Sequence, residues 1–240
     1  MQAAVPRAVT LLTIVYGWKP DAERWLLSVF THCKADFEAL VVDNSGDARM
    51  AGWLEGRVAE RLRTLRLEPP AGFAAAVNAG IEAAAGQVCI LFDTSVELTG
   101  DAVGPLMAAL ADPAVVVAGP FGLRSRDTVK EFAEDEGPLV EAIEGYCMAF
   151  RRADALAVGG MDPKFRFYRI ADIDFSFRLR DRGGVARVVG GLPLERHEHR
   201  LWEATPAPDR DRLSRRNLYR FLDHWRTRFD LVVGREAGAQ

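Results

Sequence analysis

The sequence has few cysteines and no long apolar run. Its three cysteines, Cys33, Cys89 and Cys147, lie far apart and match neither a metal-binding spacing nor a disulfide framework, as expected in a reducing cytoplasm. The apolar run at residues 8–18 is shorter than the roughly 20 residues that a transmembrane helix needs, and no small-residue cleavage site follows it. We therefore expect a cytoplasmic protein without membrane-spanning segments.

Lysine is also scarce, with four of the 31 basic residues, and the net charge is -3. Such a preference for arginine is more typical of genome composition than of phosphate binding, and the net charge gives no reason to expect nucleic acid as a partner. Apolar residues make up 49% of the 240 residues, which is enough for a substantial core in one large domain or two small ones.

Three common motifs of nucleotide-binding proteins and hydrolases are missing. Residues 15–24, "VYGWKPDAER", follow the first predicted strand without a GxGxxG, which argues against a dinucleotide-binding dehydrogenase. No GxxxxGKS or GxxxxGKT motif and no GxSxG elbow occur, so a P-loop nucleotidase and an α/β-hydrolase are disfavoured. A nucleotidyltransferase would need a Gly- and Arg-rich phosphate loop in this segment, which matches such a loop poorly.

Residues 8–118 alternate strand and helix signals. The strands are short and almost purely apolar, as is typical of strands covered on both faces. Alternating strands and helices predict a mostly parallel sheet with right-handed crossovers. The predicted strands are 8–16, 39–43, 63–67, 88–92 and 114–119, and the predicted helices are 21–33, 48–61, 73–86 and 99–112.

The pattern changes after residue 118. Residues 119–143 are acidic and irregular, and the apolar segment 145–150 then predicts a strand that returns to the same sheet. The remaining predicted elements are a helix at 172–182, a strand at 185–189, a proline-rich linker at 203–211 and an amphipathic helix at 212–229.

Acidic residues follow the predicted strands at positions where ligands bind. Asp43 and Asp93 come directly after the second and fourth strands, and Asp172 and Asp174 begin a later helix. Open parallel sheets bind ligands beyond the carboxyl ends of their strands. Any one of these acids could simply cap a helix or lie in a loop, but their joint occurrence favours a binding site.

Eight segments match the pattern of a known family in order and spacing. They are residues 13–30, 41–47, 72–86, 91–98, 149–165 and 171–184, a histidine near 197, and residues 217–225. The most specific is "VGGMDPKF" followed by an acid pair and "RLRDRGG". Over about residues 9–225, the chain resembles the family 2 glycosyltransferases.

This resemblance implies a GT-A fold, an α/β architecture with a mostly parallel central sheet flanked by helices, followed here by a C-terminal amphipathic helix. We expect one domain over residues 1–240, with a nucleotide-binding half at 1–118, an acceptor and catalytic half at 119–202, and a linker and helix at 203–240. The implied activity is inverting, hexosyltransferase-like transfer from a UDP-, GDP- or dTDP-sugar to a hydroxyl of a sugar or lipid-linked acceptor. Cell-surface polysaccharide or glycolipid synthesis is the implied setting.

The resemblance also implies roles for individual residues. Asp172 matches the catalytic base, and Asp43 matches the acid that recognises the base or ribose of the donor nucleotide. Asp93, Thr94 and Ser95 occupy the place of the DxD motif, whose acids hold the ribose and a divalent cation. The other residues implied to bind the donor are Val15, Tyr16, Gly72 and Asn78.

The implied metal ligands are Asp93, Ser95 and His197, and one of them departs from the family pattern. Ser95 stands where the second acid of the DxD motif is expected. Alternation along an extended segment puts Asp93 and Ser95 on the same side. A hydroxyl is a weaker ligand than a carboxylate, yet it still permits Mg²⁺ or Mn²⁺ beside phosphate oxygens. We therefore expect a divalent metal site that Ser95 weakens.

Neighbouring residues leave the chemistry of the leaving group open. His197 or His199 could add an imidazole, which suits manganese better than magnesium. Arg196 or Arg200 could instead neutralise the diphosphate and make the metal dispensable. A zinc site at "HEH" is less favoured, because no third or fourth ligand stands at zinc-like spacing.

Two further departures from the family concern pocket shape and the catalytic base. Pro70 replaces the asparagine that is common before the Gly-Phe pair, and Ala171 replaces the glutamate that commonly precedes the catalytic acid. Ala171 and Ser95 support a second hypothesis, a nucleotide-sugar-binding or scaffold protein of the same fold that has lost activity.

Helical spacing separates the roles of Asp172 and Asp174. Two residues apart on a helix means about 200° of rotation, so both carboxylates cannot face one cleft. If Asp172 is the N-cap, Asp174 lies in the first turn and pairs with Arg178. We therefore expect Asp172 to be the base and Asp174 to be structural.

The last predicted helix carries an apolar stripe, with seven arginines between 210 and 228. The stripe consists of Leu218, Phe221, Leu222, Trp225 and Phe229. Docking of this helix on the domain is the favoured explanation. The alternative is a peripheral contact of residues 210–229 with anionic lipid at the inner membrane face, close to a lipid-linked acceptor.

Overall fold

A computed structural model describes residues 7–57, 59–125 and 128–234. The strands are β1 (Arg7–Val15), β2 (Phe37–Asp43), β3 (Leu62–Arg66), β4 (Gly86–Phe92), β5 (Val96–Leu98), β6 (Val115–Gly119), β7 (Gly122–Ser125), β8 (Phe132–Asp135), β9 (Leu139–Val140), β10 (Ala142–Ile143), β11 (Cys147–Arg151), β12 (Val185–Val188) and β13 (Leu194–Arg196). The helices are α1 (Lys19–His32), α2 (Ala48–Glu55), α3 (Phe73–Ala83), α4 (Val103–Leu110), α5 (Arg152–Ala157), α6 (Ala171–Arg180), α7 (Arg200–Ala204) and α8 (Ala207–Trp225).

The central sheet has eight strands in the order β3-β2-β1-β4-β11-β6-β12-β9. Four neighbouring pairs are parallel, namely β1 with β2, β1 with β4, β2 with β3, and β6 with β12. Strand β11 runs antiparallel between β4 and β6. The predicted α/β architecture with a mostly parallel sheet is confirmed, and the segment at 145–150 returns to that sheet as expected.

Side chains of β1 alternate between two apolar layers. Leu12 and Ile14 belong to a cluster with residues of α3, α6 and α8, whereas Leu11 and Val15 belong to a cluster with residues of α1, α2 and α4. Successive residues of a strand point to opposite faces, and here helices cover both faces. This burial on both sides explains why the strands are nearly continuous apolar runs.

The segment at 119–143 is more ordered than its sequence predicts. Within it, β7 and β8 pair antiparallel, and β10 pairs with β7, so the three strands form a small second sheet. None of these strands exceeds four residues, and β8 is only partly buried. A strand that is short and partly exposed shows little alternation, so its periodic signal is weak.

The prediction of a proline-rich linker at 203–211 is wrong. Helix α7 ends at Ala204, and α8 begins at Ala207 with Pro206 as its N-cap residue and Pro208 in its first turn. Proline is tolerated there because the first N–H groups of a helix have no intrahelical acceptor.

Helix α8 docks on the domain through part of its apolar stripe, since the predicted last member, Phe229, lies beyond the end of the helix and is 39% exposed. Phe221 and Trp225 are buried, and the Phe221 ring lies 5.1 Å from that of Phe177 between centroids. The Asn217 amide donates to the carbonyl oxygens of Phe167 and Arg169, each at 2.8 Å. Among the described residues, no helix has the length and apolar character to cross a bilayer.

Candidate active site

A cavity of about 390 Å³ lies beyond the ends of β1 and β4 and brings distant parts of the chain together. Its acidic side includes Asp93, Glu144 and Asp172. Aromatic and cationic lining is provided by Tyr16, Phe73, Phe132, Tyr146, Tyr168, His199, Lys130 and Arg169. The remaining wall is largely aliphatic, with Leu123, Ile170, Ile173, Leu201 and Leu218.

Asp93 directly follows β4 and is enclosed by protein, although its carboxylate can be reached from the cavity. Its Oδ1 accepts the backbone N–H of Ser95 at 2.8 Å, and its Oδ2 lies 3.3 Å from Nε2 of His199. Burial alone would raise the pKa of the Asp93 carboxyl, but the His199 ring and the nearby hydroxyl and amide of Ser95 outweigh it and hold that pKa below its usual value. Asp93 is therefore ionised at neutral pH.

His199 is the N-cap of α7, and its ring is held on several sides. Nδ1 accepts the backbone N–H of Trp202 at 3.2 Å. The ring stacks on Tyr168 with 4.3 Å between centroids and meets Tyr146 edge-on at 5.6 Å. Of the two histidines that the sequence offered, His199 contacts Asp93, whereas His197 contacts Glu97.

Asp172 is the second residue of α6 and is tied to the chain before β11. Its Oδ2 accepts the backbone N–H of Gly145 at 2.9 Å, and its Oδ1 accepts that of Ile173 at 2.9 Å. The N-cap residue is Ile170, in a left-handed conformation with φ 73°, and Asp172 lies with Asp174 in the first turn of the helix. Burial raises the pKa of Asp172 in spite of these hydrogen bonds, which makes its carboxylate a stronger base.

Asp174 is turned away from the cavity and is 1% exposed. It accepts hydrogen bonds from Nε of Arg178 at 2.6 Å and from Nε1 of Trp225 at 2.8 Å. The predicted pair between Asp174 and Arg178 is therefore present. These contacts attach α8 to α6, which is a structural task.

Glu144 lines the cavity and was not among the residues that the sequence suggested. Burial, together with the nearby Asp172 carboxylate, raises the pKa of Glu144 to about 7. Arg196 is 3.5 Å away through Nη1. No local pattern marks Glu144, because it is brought to the cavity by the antiparallel return of β11.

Several residues implied to bind the donor are not among those that line this cavity. Asp43 is buried, and its Oδ1 accepts from Ser45 through the backbone N–H at 3.0 Å and the hydroxyl at 2.6 Å. The Asn78 amide makes two hydrogen bonds with the backbone of Met161, at 2.7 and 2.8 Å, and joins α3 to the loop after α5. Val15 is buried, whereas Thr94 is half-buried beside Asp93.

Gly72 permits a close approach of two segments. A Cβ at this position would lie 2.9 Å from Cα of Arg166, which is closer than carbon atoms pack. The next residue, Phe73, donates its backbone N–H to the Arg166 carbonyl at 3.0 Å and lines the cavity. The glycine therefore serves the packing of the cavity wall.

The other two implied metal ligands do not line the cavity. Ser95 is 2% exposed, and its Oγ makes no hydrogen bond of ordinary geometry within the described residues. His197 bonds through Nε2 to Glu97 at 2.8 Å. Glu97, Glu195 and His197 each place one possible ligand atom within 4.8 Å of the other two. The pairing of β5 with β13 brings them together, so their spacing in the sequence does not predict this group.

Comparison with known proteins decides the family. The chain matches the model described as glycosyl transferase family 2 over residues 10–174. It belongs to this family. No curated protein matches the chain.

Two solved structures of glycosyltransferases share the fold of this chain. A crystal structure of GalNAc-T7 with UDP, GalNAc and Mn²⁺ has a TM-score of 0.74 and 16% identity, covering 94% of this chain and 50% of that one. The mannosyltransferase PcManGT from Pyrobaculum calidifontis, in complex with GDP-Man and Mn²⁺, has a TM-score of 0.63 and 19% identity, covering 83% and 60%. This family 2 chain thus spans about half of the first structure and 60% of the second, and the similarity establishes the GT-A fold.

Proposed function

We propose that the protein is an inverting glycosyltransferase that moves a sugar from a nucleotide-diphosphate donor to a hydroxyl acceptor. The observation that carries the proposal is the single cavity in which the pKa of Asp172 is raised and that of Asp93 is lowered. Two acids whose surroundings shift their pKa values in opposite directions suit different roles.

The proposed reaction is one displacement at the anomeric carbon. Asp172 takes the proton of the acceptor hydroxyl while the acceptor oxygen forms its bond to that carbon. The bond between the carbon and the diphosphate breaks, and its electron pair leaves with the diphosphate. Attack from the side opposite the leaving group inverts the configuration. General base catalysis of this kind contributes about 10²–10⁴-fold to the rate.

The proposed donor site consists of Val15, Tyr16, Asp43, Gly72, Asn78, Asp93 and Thr94. Its support is the way in which the loop after β2 is joined to the loop before α3. Asn44 exchanges two hydrogen bonds with the backbone of Ala71, at 3.0 and 2.7 Å, and so fixes the loop after β2 against the one before α3. The UDP and GDP-Man of the two similar structures support a nucleotide-sugar donor of this general type.

A divalent cation accompanies the nucleotide in both similar structures, but this chain offers a poor ligand set for one. Asp93 is the one carboxylate of the DxD position, and the buried Ser95 does not line the cavity. His197 is engaged by Glu97. We propose that transfer depends weakly or not at all on Mn²⁺ or Mg²⁺.

For the acceptor, we propose a sugar hydroxyl with an attached apolar or lipid part, in cell-surface polysaccharide or glycolipid synthesis on the cytoplasmic side. Leu123, Phe132, Ile173 and Leu218 form an apolar wall of the cavity beside Asp172, which supports such an acceptor. Because Phe221 and Trp225 are buried against the domain, the peripheral lipid contact proposed for residues 210–229 would use the arginines of α8 together with the exposed Tyr219 and Phe229. Sedimentation with anionic liposomes, compared with a chain ending at 209, tests it.

Thermal-shift measurements with UDP-, GDP- and dTDP-sugars, with and without manganese, test donor binding. Release of the nucleoside diphosphate then tests turnover. Binding of a nucleotide-sugar together with release of its nucleoside diphosphate would support the proposed transferase activity. Donor binding without transfer or hydrolysis would favour the second candidate, a non-catalytic nucleotide-sugar-binding protein, which Ser95 and Ala171 suggest.

A further inference from the structure

Three possible metal ligands lie on one face of the ribbon that β5 and β13 form. Glu195 stands directly opposite Glu97 in the antiparallel register. His197 follows Glu195 by two residues, and residues two apart on an extended segment point to the same side, so the ring lies on the side of both carboxylates. Each of the three places one possible ligand atom within 4.8 Å of the other two. The pairing therefore supplies the third ligand that the sequence spacing around His197 lacks.

The two glutamates face each other with little positive charge to balance them. Within the described residues, the one cationic side chain other than His197 within 4 Å of either carboxylate is Arg24, whose Nε lies 3.7 Å from Oε2 of Glu97. Arg24 is shared, because it also pairs with Asp21 at 3.0 Å. Like charges directly opposite each other in a sheet are destabilising. A divalent cation between Glu97 and Glu195 would remove this repulsion.

The spacing of the ligand atoms suits a small ion. Nε2 of His197 lies 2.8 Å from Oε2 of Glu97. Zinc–ligand bonds of about 2.0–2.2 Å put tetrahedral ligands about 3.4 Å apart, so this contact has to widen only slightly. Glu195 is exposed, and its long side chain can turn toward the ion. The ion would replace the hydrogen between the ring and Glu97, and the neutral imidazole would then carry its hydrogen on Nδ1.

The mixture of imidazole and carboxylate ligands favours zinc over magnesium. Imidazole suits zinc and other transition metals, whereas magnesium prefers sites made of oxygen ligands alone. A given set of such ligands also binds zinc more tightly than manganese. Three protein ligands leave the fourth tetrahedral position to water, which the exposed side of Glu195 admits.

We propose that Glu97, Glu195 and His197 bind one zinc ion on the β5–β13 ribbon, at a site separate from the cavity. None of the three is among the residues that line the cavity. Because β5 begins shortly after Asp93 and β13 ends shortly before His199, the ion would join the two segments that carry these side chains to the cavity. The site goes beyond the proposed function, since it requires neither a nucleotide nor sugar transfer.

Zinc binding can be measured on the wild-type chain alone. Chelator-treated protein is titrated with zinc chloride by calorimetry, and its melting temperature is recorded with and without zinc. We expect one ion per chain, and a melting temperature raised by about 5–10 °C at a hundredfold excess of zinc over its Kd. A chain that binds no zinc would overturn the inference and leave the proposed function untouched.

Single substitutions locate the ion. Glu97→Gln, Glu195→Gln and His197→Gln each remove one ligand with little change in volume. Even the hydrogen-bond partners of ligands contribute about 10–100-fold to metal affinity, so each change should weaken zinc binding by about 100-fold or more. Glu198→Gln and His224→Gln, at exposed positions, are matched controls that should keep the wild-type affinity. Glu195→Gln decides the result if another change disturbs folding, because its side chain is exposed.

Two further variants distinguish this site from the position of the DxD motif. Asp93→Asn and Ser95→Ala remove groups implied to hold the family's cation but leave the three proposed ligands in place, so both should keep the zinc affinity of the wild type. Zinc binding that is lost in Asp93→Asn and retained in Glu195→Gln would place the ion at the cavity and overturn the inference. Unchanged binding in all three ligand variants would overturn it as well.

Discussion

The backbone N–H of Gly145 lies 2.9 Å from Oδ2 of Asp172. This hydrogen bond joins the chain just before β11 to the first turn of α6, and the two residues are 27 positions apart in the sequence. It orients the carboxylate toward the cavity, and burial still raises the pKa of Asp172. The position of the proposed base thus depends on a glycine N–H and not on a side-chain partner.

The first prediction concerns the proposed base itself. Asp172→Asn keeps an oxygen that can accept from Gly145 but removes the basic carboxylate. We expect the rate of sugar transfer to fall by about 10²–10⁴-fold while the melting temperature and the donor affinity stay close to those of the wild type. Release of nucleoside diphosphate measures the rate. Full activity in a normally folded Asp172→Asn protein would rule out the assignment.

The second prediction concerns Asp174, whose carboxylate holds α8 against α6. Asp174→Ala removes the partner of Arg178 and leaves Nε1 of the buried Trp225 without an acceptor. We expect the free energy of unfolding to fall by roughly 2–4 kcal/mol, as measured by urea denaturation. Asp223→Ala, at an exposed position of α8, should change it by less than about 0.5 kcal/mol. Equal stability of the two variants would contradict a structural role.

The third prediction uses the raised pKa of Glu144, about 7. A carboxyl group with a higher pKa in the folded protein keeps its proton there while the unfolded chain has already released it. Its contribution to stability is therefore intact below the unfolded pKa near 4.5 and is lost as the pH rises through about 7. Glutamine does not titrate, so Glu144→Gln should match the wild type at pH 4.5 and exceed it at pH 8.

The expected excess at pH 8 is roughly 2–4 kcal/mol, because each unit of pKa difference is worth about 1.4 kcal/mol. Urea denaturation at the two pH values measures it. Glu195→Gln, which removes an exposed carboxylate next to Arg196, should show no comparable dependence on pH. A constant difference between Glu144→Gln and the wild type would show that Glu144 has an ordinary pKa.

Much of the fold was predictable because β1, β2 and β4 are buried on both faces, and such strands are recognisable as apolar runs. The short strands β7 and β8 were missed, since four residues with one exposed side carry little periodicity. The helix start at Ala207 was also missed, because its two prolines resemble a linker when the first turn of a helix is not considered.

The sequence predicts the side on which a residue lies where helix geometry alone decides it. It does not predict that side where the pairing of distant strands decides it. Rotation along a helix predicted that Asp172 and Asp174 face different ways, and Asp174 does pair with Arg178. His197 and His199 could not be separated, because residues two apart on an extended segment share a side. Pairing of β13 with β5 directs His197 to Glu97, and the start of α7 directs His199 to Asp93.

The last prediction concerns Ser95, at the place of the second DxD acid. Its side chain is 2% exposed, and its Oγ lacks a hydrogen bond of ordinary geometry in the described part of the chain. Ser95→Ala should therefore change the free energy of unfolding by less than about 1 kcal/mol. Ser95→Asp would restore the family motif but bury a second carboxylate beside the ionised Asp93, which should lower stability by roughly 3 kcal/mol or more. Thermal denaturation with and without Mn²⁺ compares the two variants. Because the new carboxylate would not reach the cavity, Mn²⁺ should not tighten diphosphate binding in Ser95→Asp, and a stable variant with metal-dependent binding would show that Ser95 faces the donor after all.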